Sequence, residues 1–361
     1  MQPLRRHILL SGGGAWIASI AALPAWARPT GRVARLAAAW DDTDGRRHHA
    51  GLLEARGDVL RVLASIELPS RAHGLCAESG GSVLVVARRP GDWLLRWQPR
   101  SGAAQWVWSD AERCFTGHVA RLPGQPLLCA AETDLDTGLG LVATRHPQTL
   151  ALQAEWPTRG VDPHQMLADA DGSVLVANGG ILTLPETGRA KHDLDRMDPS
   201  LVRLDPRTGR CLGQWRLDDP RLSIRHVARH AGGTIGVALQ AEHDDAGENA
   251  RAPVLALFDG QSLRGVAAPR PLAGYGGDIA ATAEGFCVSV PRAGGVAHWT
   301  AEGGWLGLQR LPGACALASG RDGLWAGGHD SAAARWSGPG AAGRPGPPRL
   351  KLENHWVMLA A

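Results

Sequence analysis

The sequence has no CxxC pair, no G-x-G-x-x-G turn in a strand–helix–strand setting and no GxxxxGK[ST] loop. These absences remove thiolate zinc and dithiol redox sites, dinucleotide binding through a Rossmann fingerprint, and phosphate cradling by a P-loop. Long periodic amphipathic segments are missing too, which argues against a helical bundle. An excess of one charge sign is also lacking. The formal net charge of +3 includes Arg5 and Arg6, and without residues 1–27 the balance is 36 basic against 35 acidic side chains. So even a balance excludes a nucleic-acid partner or a polybasic membrane surface as the organising feature.

With 361 residues the chain can bury a full core, so its six cysteines are not needed as staples. Cys76, Cys129, Cys287 and Cys315 lie in or beside apolar runs, where a free thiol packs as a small hydrophobe.

Residues 1–27 have the parts of a cleaved export signal: Arg5-Arg6, an apolar stretch from Ile8 to Leu23, and Ala25-Trp26-Ala27 before the cut. The paired arginines followed by His7-Ile8-Leu9 predict the twin-arginine route, with an ordinary secretory signal as the alternative. The apolar stretch is shorter than the roughly 20 residues of a spanning helix, so no stable membrane anchor is expected after cleavage. The expected location is the periplasm, with residues 28–361 forming one domain.

The mature chain breaks into short apolar runs separated by glycine turns, including Ser82–Ala87, Trp93–Gln98, Ser173–Asn178, Pro253–Phe258 and Gly285–Ser289. Such runs read as strands joined by tight hairpins. A His, Asp or small residue followed by an apolar strand recurs near His73, His118, His164, His226, Asp278 and Ala314, at spacings of 45, 46, 62, 52 and 36 residues. Irregular recurrence of this kind predicts repeated four-stranded blades with loops of varying length. The remaining runs, Arg32–Ala39, His49–Glu54, Val59–Leu68 and Glu353–Leu359, make a closing blade in which the two ends of the chain pair. The expected fold is therefore all-β, a seven-bladed propeller.

In such a ring His73, His118, His164 and His226 occupy matching positions facing the axis, where imidazoles can bind a transition metal. Glu132, Asp134 and Asp278 are carboxylates that can share or orient an ion, and Asn178, His192 and Arg225 complete the set of ligand-binding candidates. The alternative for the histidines is hydrogen bonding that pins neighbouring blades together. Trp93, Trp97, Trp106 and Trp108 read as packing between blades rather than as a stacking platform for bases. No nucleophile, base and oxyanion donor are arranged recognisably, so no catalytic triad is assigned.

Several segments together resemble the bacterial family called domain of unknown function 1513. They are His73-Gly74, Gly117-His118, Glu132-Thr133-Asp134, residues 160–164 (GVDPH), 176–181 (VANGGI), 187–201 (TGRAKHDLDRMDPSL) and 223–226 (SIRH). The resemblance runs from about Ala34 to Leu359. It departs from the family pattern at residues 157–160 and in its Ala- and Trp-rich blade cores. What it implies is an exported, quinoprotein-like or YVTN-like propeller, with imelysin-type periplasmic iron-uptake proteins as partners. The leading expectation is a ring that binds a small ligand, a metal species or a partner protein, with a role in iron acquisition. The alternatives are a metal-assisted hydrolase or lyase with a central His/carboxylate site, and a structural interaction scaffold.

Export yields the first test. N-terminal sequencing of the secreted protein is expected to begin at Arg28, and an Arg5→Lys, Arg6→Lys double variant is expected to stay in the cytoplasm. Undiminished export of that variant would replace the twin-arginine route with the secretory one.

Overall fold

Alternating apolar segments that cannot hide their edges singly are hidden here by ring closure. The computed structural model describes residues 33–56, 59–183, 187–188, 190–320, 323–328, 331–335 and 350–359. The export signal and the Gly338–Pro348 glycine-proline segment lie outside them.

The described strands form antiparallel sheets, each a meander of consecutive strands except where the chain ends meet. Six sheets have four strands. One example is Ala72–Ala77, Val83–Ala87, Trp93–Trp97 and Ala104–Trp108. A further sheet has three, Ala314–Gly320, Gly323–Gly328 and Ser331–Arg335. This corrects the expectation of a seven-bladed propeller. Among the described residues six blades are complete with four strands, and the remaining sheet, with three, does not make a seventh.

The ends of the chain pair. Lys351–Met358 lies against Ala34–Asp41, with Leu36 opposite Met358 and Trp40 opposite Leu352. It supplies the first strand of the sheet completed by His48–Arg56 and Val59–Leu68. Two bulky rings seal the joint: Trp40 and Trp356 are buried with Trp325, Leu53 and Leu352 in one apolar cluster.

Burial follows position within a blade. Strands in the middle of a sheet are covered by neighbours on both faces, so Val83–Ala87, Val174–Asn178 and Leu255–Phe258 are buried throughout. Outer strands such as Ala104–Trp108 keep one face in water. Trp93 and Trp97 accordingly pack in the core, whereas Trp108 is 56% exposed and stacks on Trp106 of its own strand. Polar side chains tie neighbouring blades at the hub: Val227 N donates to Gln165 Oε1 (2.6 Å), Ser223 Oγ to the Gly179 carbonyl (2.7 Å) and Ser289 Oγ to the Cys315 carbonyl (2.9 Å). All six cysteines are free thiols, and burial pushes Cys129 up to about 12. The charged insertion after Ala241 contains a short helix, Ala246–Arg251, capped by Asp245, whose Oδ1 accepts from Glu248 N (2.6 Å).

Loss of the closing ring system should be costly. Trp356→Ala is expected to lower unfolding free energy by about 3–5 kcal/mol in equilibrium urea titrations, the range for a buried tryptophan truncated to alanine. A change within about 0.5 kcal/mol, the range of surface substitutions, would show that the terminal strands do not seal the ring.

Candidate metal centre at the hub

Each inner strand must aim a polar side chain at the axis while its neighbours stay in an apolar core. The strands do this by breaking register at the hub. The ladder slips between Ala72 and Leu75, Phe115 and Val119, Pro163 and Met166, and Ile224 and His226. The closing strand slips between Leu352 and Trp356. A bulge of this kind re-aims a side chain without ending the strand. The residues at these slips include His73, His118, His164, His226 and His355.

Their rings converge. The Nε2 atoms of His355 and His73 lie 3.3 Å apart, those of His73 and His164 3.3 Å, and those of His164 and His226 3.0 Å. The His118 ring centroid is 4.8 Å from those of His73 and His164, 5.0 Å from that of His355 and 5.4 Å from that of His226. Such close approach needs glycine beside two of the rings. Gly117 has φ 108°, and a Cβ there would meet His73 Cδ2 at 2.7 Å, while one on Gly74 would meet the Gly117 carbonyl at 2.3 Å.

All five rings are buried. Burial, with smaller contributions from neighbouring imidazoles, holds His73, His118, His164 and His226 well below the ordinary histidine range. They are therefore neutral near pH 7 and each keeps a lone pair. His355 is oriented from behind: its Nδ1 lies 3.2 Å from Asp278 Oδ1, which also accepts from Ile279 N (2.9 Å), while Oδ2 accepts from Leu317 N (2.9 Å). An Nδ1–H donated to Asp278 leaves the His355 Nε2 lone pair facing the other rings.

His73, His118, His226 and His355 each offer one ligand atom within 4.8 Å of the others, a buried set able to coordinate a transition-metal ion. With metal–nitrogen bonds of about 2.0–2.1 Å, neighbouring ligand nitrogens sit about 2.9–3.4 Å apart, a spacing that the His355 and His73 Nε2 atoms, 3.3 Å apart, have within this set. Nδ1 of His73, His164 and His226 and Nε2 of His118 are buried without a hydrogen-bond partner among the described residues.

A cavity of about 20 Å³ adjoins the cluster, lined by His73, His164 and His226 together with Arg88, Arg89 and Arg225. Arg225 Nη1 donates to Asp162 Oδ2 (2.6 Å), and Arg89 pairs with Asp162 Oδ1. Asp162 reaches both from a left-handed backbone conformation (φ 56°) directly before Pro163-His164. Burial lowers the Arg225 guanidinium to about 10, leaving it charged near neutrality.

The structure thus brings together His73, His118, His164 and His226, places Arg225 at their side, and puts Asp278 behind His355. It does not bring in the other candidates. Glu132 is buried against Arg145, whose Nη2 donates to Oε1 (2.7 Å), and burial raises its carboxyl although Arg145 opposes the shift. Asp134 caps its own turn through the Asp136 and Thr137 amides and pairs with Arg113. Asn178 donates to the Thr158 carbonyl (2.9 Å) of the neighbouring blade and to Ser200 Oγ (3.2 Å) of its own. His192 lies outward, its Nε2 2.8 Å from Thr187 Oγ1.

His355 is the functional residue that sequence reasoning missed. Asn354-His355 precedes Trp356-Val357-Met358, the same polar-then-apolar pattern that marks the other blade starts. That segment was read only as the strand that closes the ring.

The family model described as "Protein of unknown function (DUF1513)" matches residues 66–359. No curated protein matches the chain. Among solved structures, hydrazine synthase of Kuenenia stuttgartiensis aligns with TM-score 0.53 at 11% identity, over 73% of this chain and 75% of that one. A nidogen/laminin complex aligns with TM-score 0.49 at 9% identity, over 75% of this chain and 90% of that one. A functionally unknown protein from Desulfotomaculum acetoxidans DSM 771 gives 0.49 at 12%, over 76% and 84%. The first likeness is one of fold alone, and the other two carry no argument.

Neutral buried histidines make stability depend on pH. Above the ordinary histidine value of about 6.5 neither the folded nor the unfolded chain is protonated at these rings. Below it the unfolded chain takes up protons that the buried rings refuse, so stability falls by up to about 1.4 kcal/mol per pH unit for each proton of difference. Metal-free protein is expected to lose stability in urea titrations as pH is lowered from about 7.5 to about 5.5. A His73→Gln, His226→Gln variant is expected to show a shallower loss. Equal slopes in the two proteins would mean that these rings are not held neutral by the fold.

Proposed function

Because this chain belongs to the family described as Protein of unknown function (DUF1513), we propose a role from its own residues: the hub holds a transition-metal ion and assists hydrolysis or elimination on a small substrate. The observation that carries this reading is the convergence of buried, neutral imidazoles whose facing nitrogens meet one another instead of a backbone or carboxylate acceptor. A ring built only to pin blades would pair each imidazole with its neighbour's backbone, as Gln165 and Ser223 do. Imidazole nitrogen suits zinc, copper, iron and nickel, and a bound divalent ion supplies Lewis acidity to a substrate oxygen or to water.

In this reading His73, His118, His226 and His355 are the ligands. His164, in contact with His73 and His226, stands on the cavity side of the set. Asp278 fixes the His355 tautomer, and the bulges hold the remaining rings in place. Export of the mature chain puts the activity in the periplasm.

Metal carriage in iron acquisition beside imelysin-type proteins is a second reading, since the same nitrogens accept iron. Burial of the cluster speaks against it: a carrier has to release its ion, and rings supplied by separate blades enclose this one.

Metal analysis of the purified mature protein is the test. About one equivalent of transition metal is expected, with at least tenfold weaker retention in His118→Ala and His355→Ala and a smaller loss in Asp278→Asn, in line with the usual effect of removing an orienting partner. Metal-free protein after expression and dialysis with zinc, copper, iron and nickel in turn would overturn the proposal.

A further inference from the structure

We propose that the cavity beside the histidines is an oxyanion site, in which Arg88 and Arg225, with Arg89, hold a carboxylate- or phosphate-type group of the substrate against the metal centre. This deepens the metal reading and rests on it for the second ligand of the anion.

Charge is the first argument. Among the described residues three guanidiniums line the cavity and no carboxylate does. Their counter-ions stand behind them and are shared. Asp162 serves both Arg89 and Arg225. Glu353 serves Arg88 through Oε2 (3.0 Å) and Arg71 through Oε1 (2.5 Å). Arg71, outside the cavity, has a further partner in Asp41 Oδ2 at 3.4 Å, so Glu353 remains available to Arg88. A largely buried wall carrying one sign of charge concentrates its field on an incoming anion.

Geometry is the second argument. Arg225 is almost wholly buried, spends Nη1 on Asp162, and leaves Nε buried with no partner. A guanidinium edge with an unused donor suits a planar or tetrahedral oxyanion, which accepts paired hydrogen bonds. The fork is fixed from two sides, by Asp162 in its left-handed conformation and by the bulge that sets His226 next to it. Size is the third argument. A cavity of about 20 Å³ exceeds the roughly 10–15 Å³ that one water needs but leaves room for only one small polar group. Its walls are otherwise polar, with Gln240, Tyr275 and Asn354. An extended apolar ligand finds nothing to bury against.

The test uses full-length mature protein loaded with cobalt(II), whose visible spectrum reports its ligands. Titration with inorganic phosphate and, separately, with acetate is expected to give a saturable spectral change with at least one of them. Which anion binds tells a phosphate ester from a carboxylate. Arg88→Gln and Arg225→Lys are expected to weaken that binding at least tenfold, the effect of losing a charge-assisted hydrogen bond, with cobalt content unchanged. Arg88 is the surer variant for folding, because Glu353 keeps Arg71 as a partner. Unaltered anion affinity in both variants, or no response to either anion in the wild type, overturns the inference. Should the protein bind no cobalt, the metal reading fails by itself, and calorimetric titration of the metal-free protein with the same two anions decides the site: heat abolished in Arg88→Gln upholds it, and no heat in the wild type overturns it.

Discussion

Pairing of Lys351–Met358 with Ala34–Asp41 is the contact on which both the ring and the histidine cluster depend. Ring closure removes the two edges that a row of sheets would otherwise expose. The same strand carries His355 to the axis, where its Nε2 comes within 3.3 Å of His73. Trp356, one residue further, points into the apolar cluster of Trp40 and Trp325. Alternation along a strand sends neighbouring side chains to opposite faces, so the residue that seals the joint and the residue that joins the hub are adjacent by necessity. The site is complete only when the fold is.

Gathering imidazoles at a hub has a desolvation cost, and the fold meets it in a particular way. A protonated ring would lose its hydration in a medium of low polarity, which is why burial keeps His73, His118, His164 and His226 neutral. Neutral rings still have one donor and one acceptor each. The facing nitrogens are left for one another, and the nearest carboxylate, Asp278, reaches only the rear of His355. A hub designed for hydrogen-bonded pinning would use carboxylates and amides, as the ties through Gln165, Ser223 and Ser289 show within the same structure.

Much of this was legible in the chain because a blade repeats. Period-two apolar runs ended by glycine turns located the strands to within a few residues, as at Ser82–Ala87 against the observed Val83–Ala87. Equivalent positions in successive repeats face the same axis, so the local pattern at His73, His118, His164 and His226 sufficed to place them together. His355 escaped because its blade is assembled from both ends of the chain, which separates its inner strand from the others by the whole sequence. Glu132 and Asn178 mislead for the opposite reason. They follow apolar strands as hub residues would, yet Arg145 and the Thr158 carbonyl claim their side chains, and neither partner can be inferred from local spacing. Three strands rather than four among the described residues of the sheet that ends at Ser331–Arg335 is a difference that a recurring start motif does not report.

The bulges explain why a repeated architecture supports a site that is not symmetric. Each register slip turns an inner-strand residue to the axis without specifying which residue type it is, so the ring offers similar positions that the sequence fills differently. Ala314–Gly320 slips between Ala314 and Ala316 and contributes Cys315, whose carbonyl is tied to Ser289, while Asp278 directly precedes Ile279–Ala281, the inner strand of the preceding blade. Histidines therefore occupy one side of the hub and the orienting carboxylate the other. That asymmetry gives the cluster a direction: Asp278 stands behind His355, and His73, His164 and His226 border the arginine-lined cavity. A uniformly histidine-lined hub would have no preferred face. Here the departures from repeat symmetry, Asp278 and Arg225 above all, fix where an ion is held and from which side a ligand can meet it.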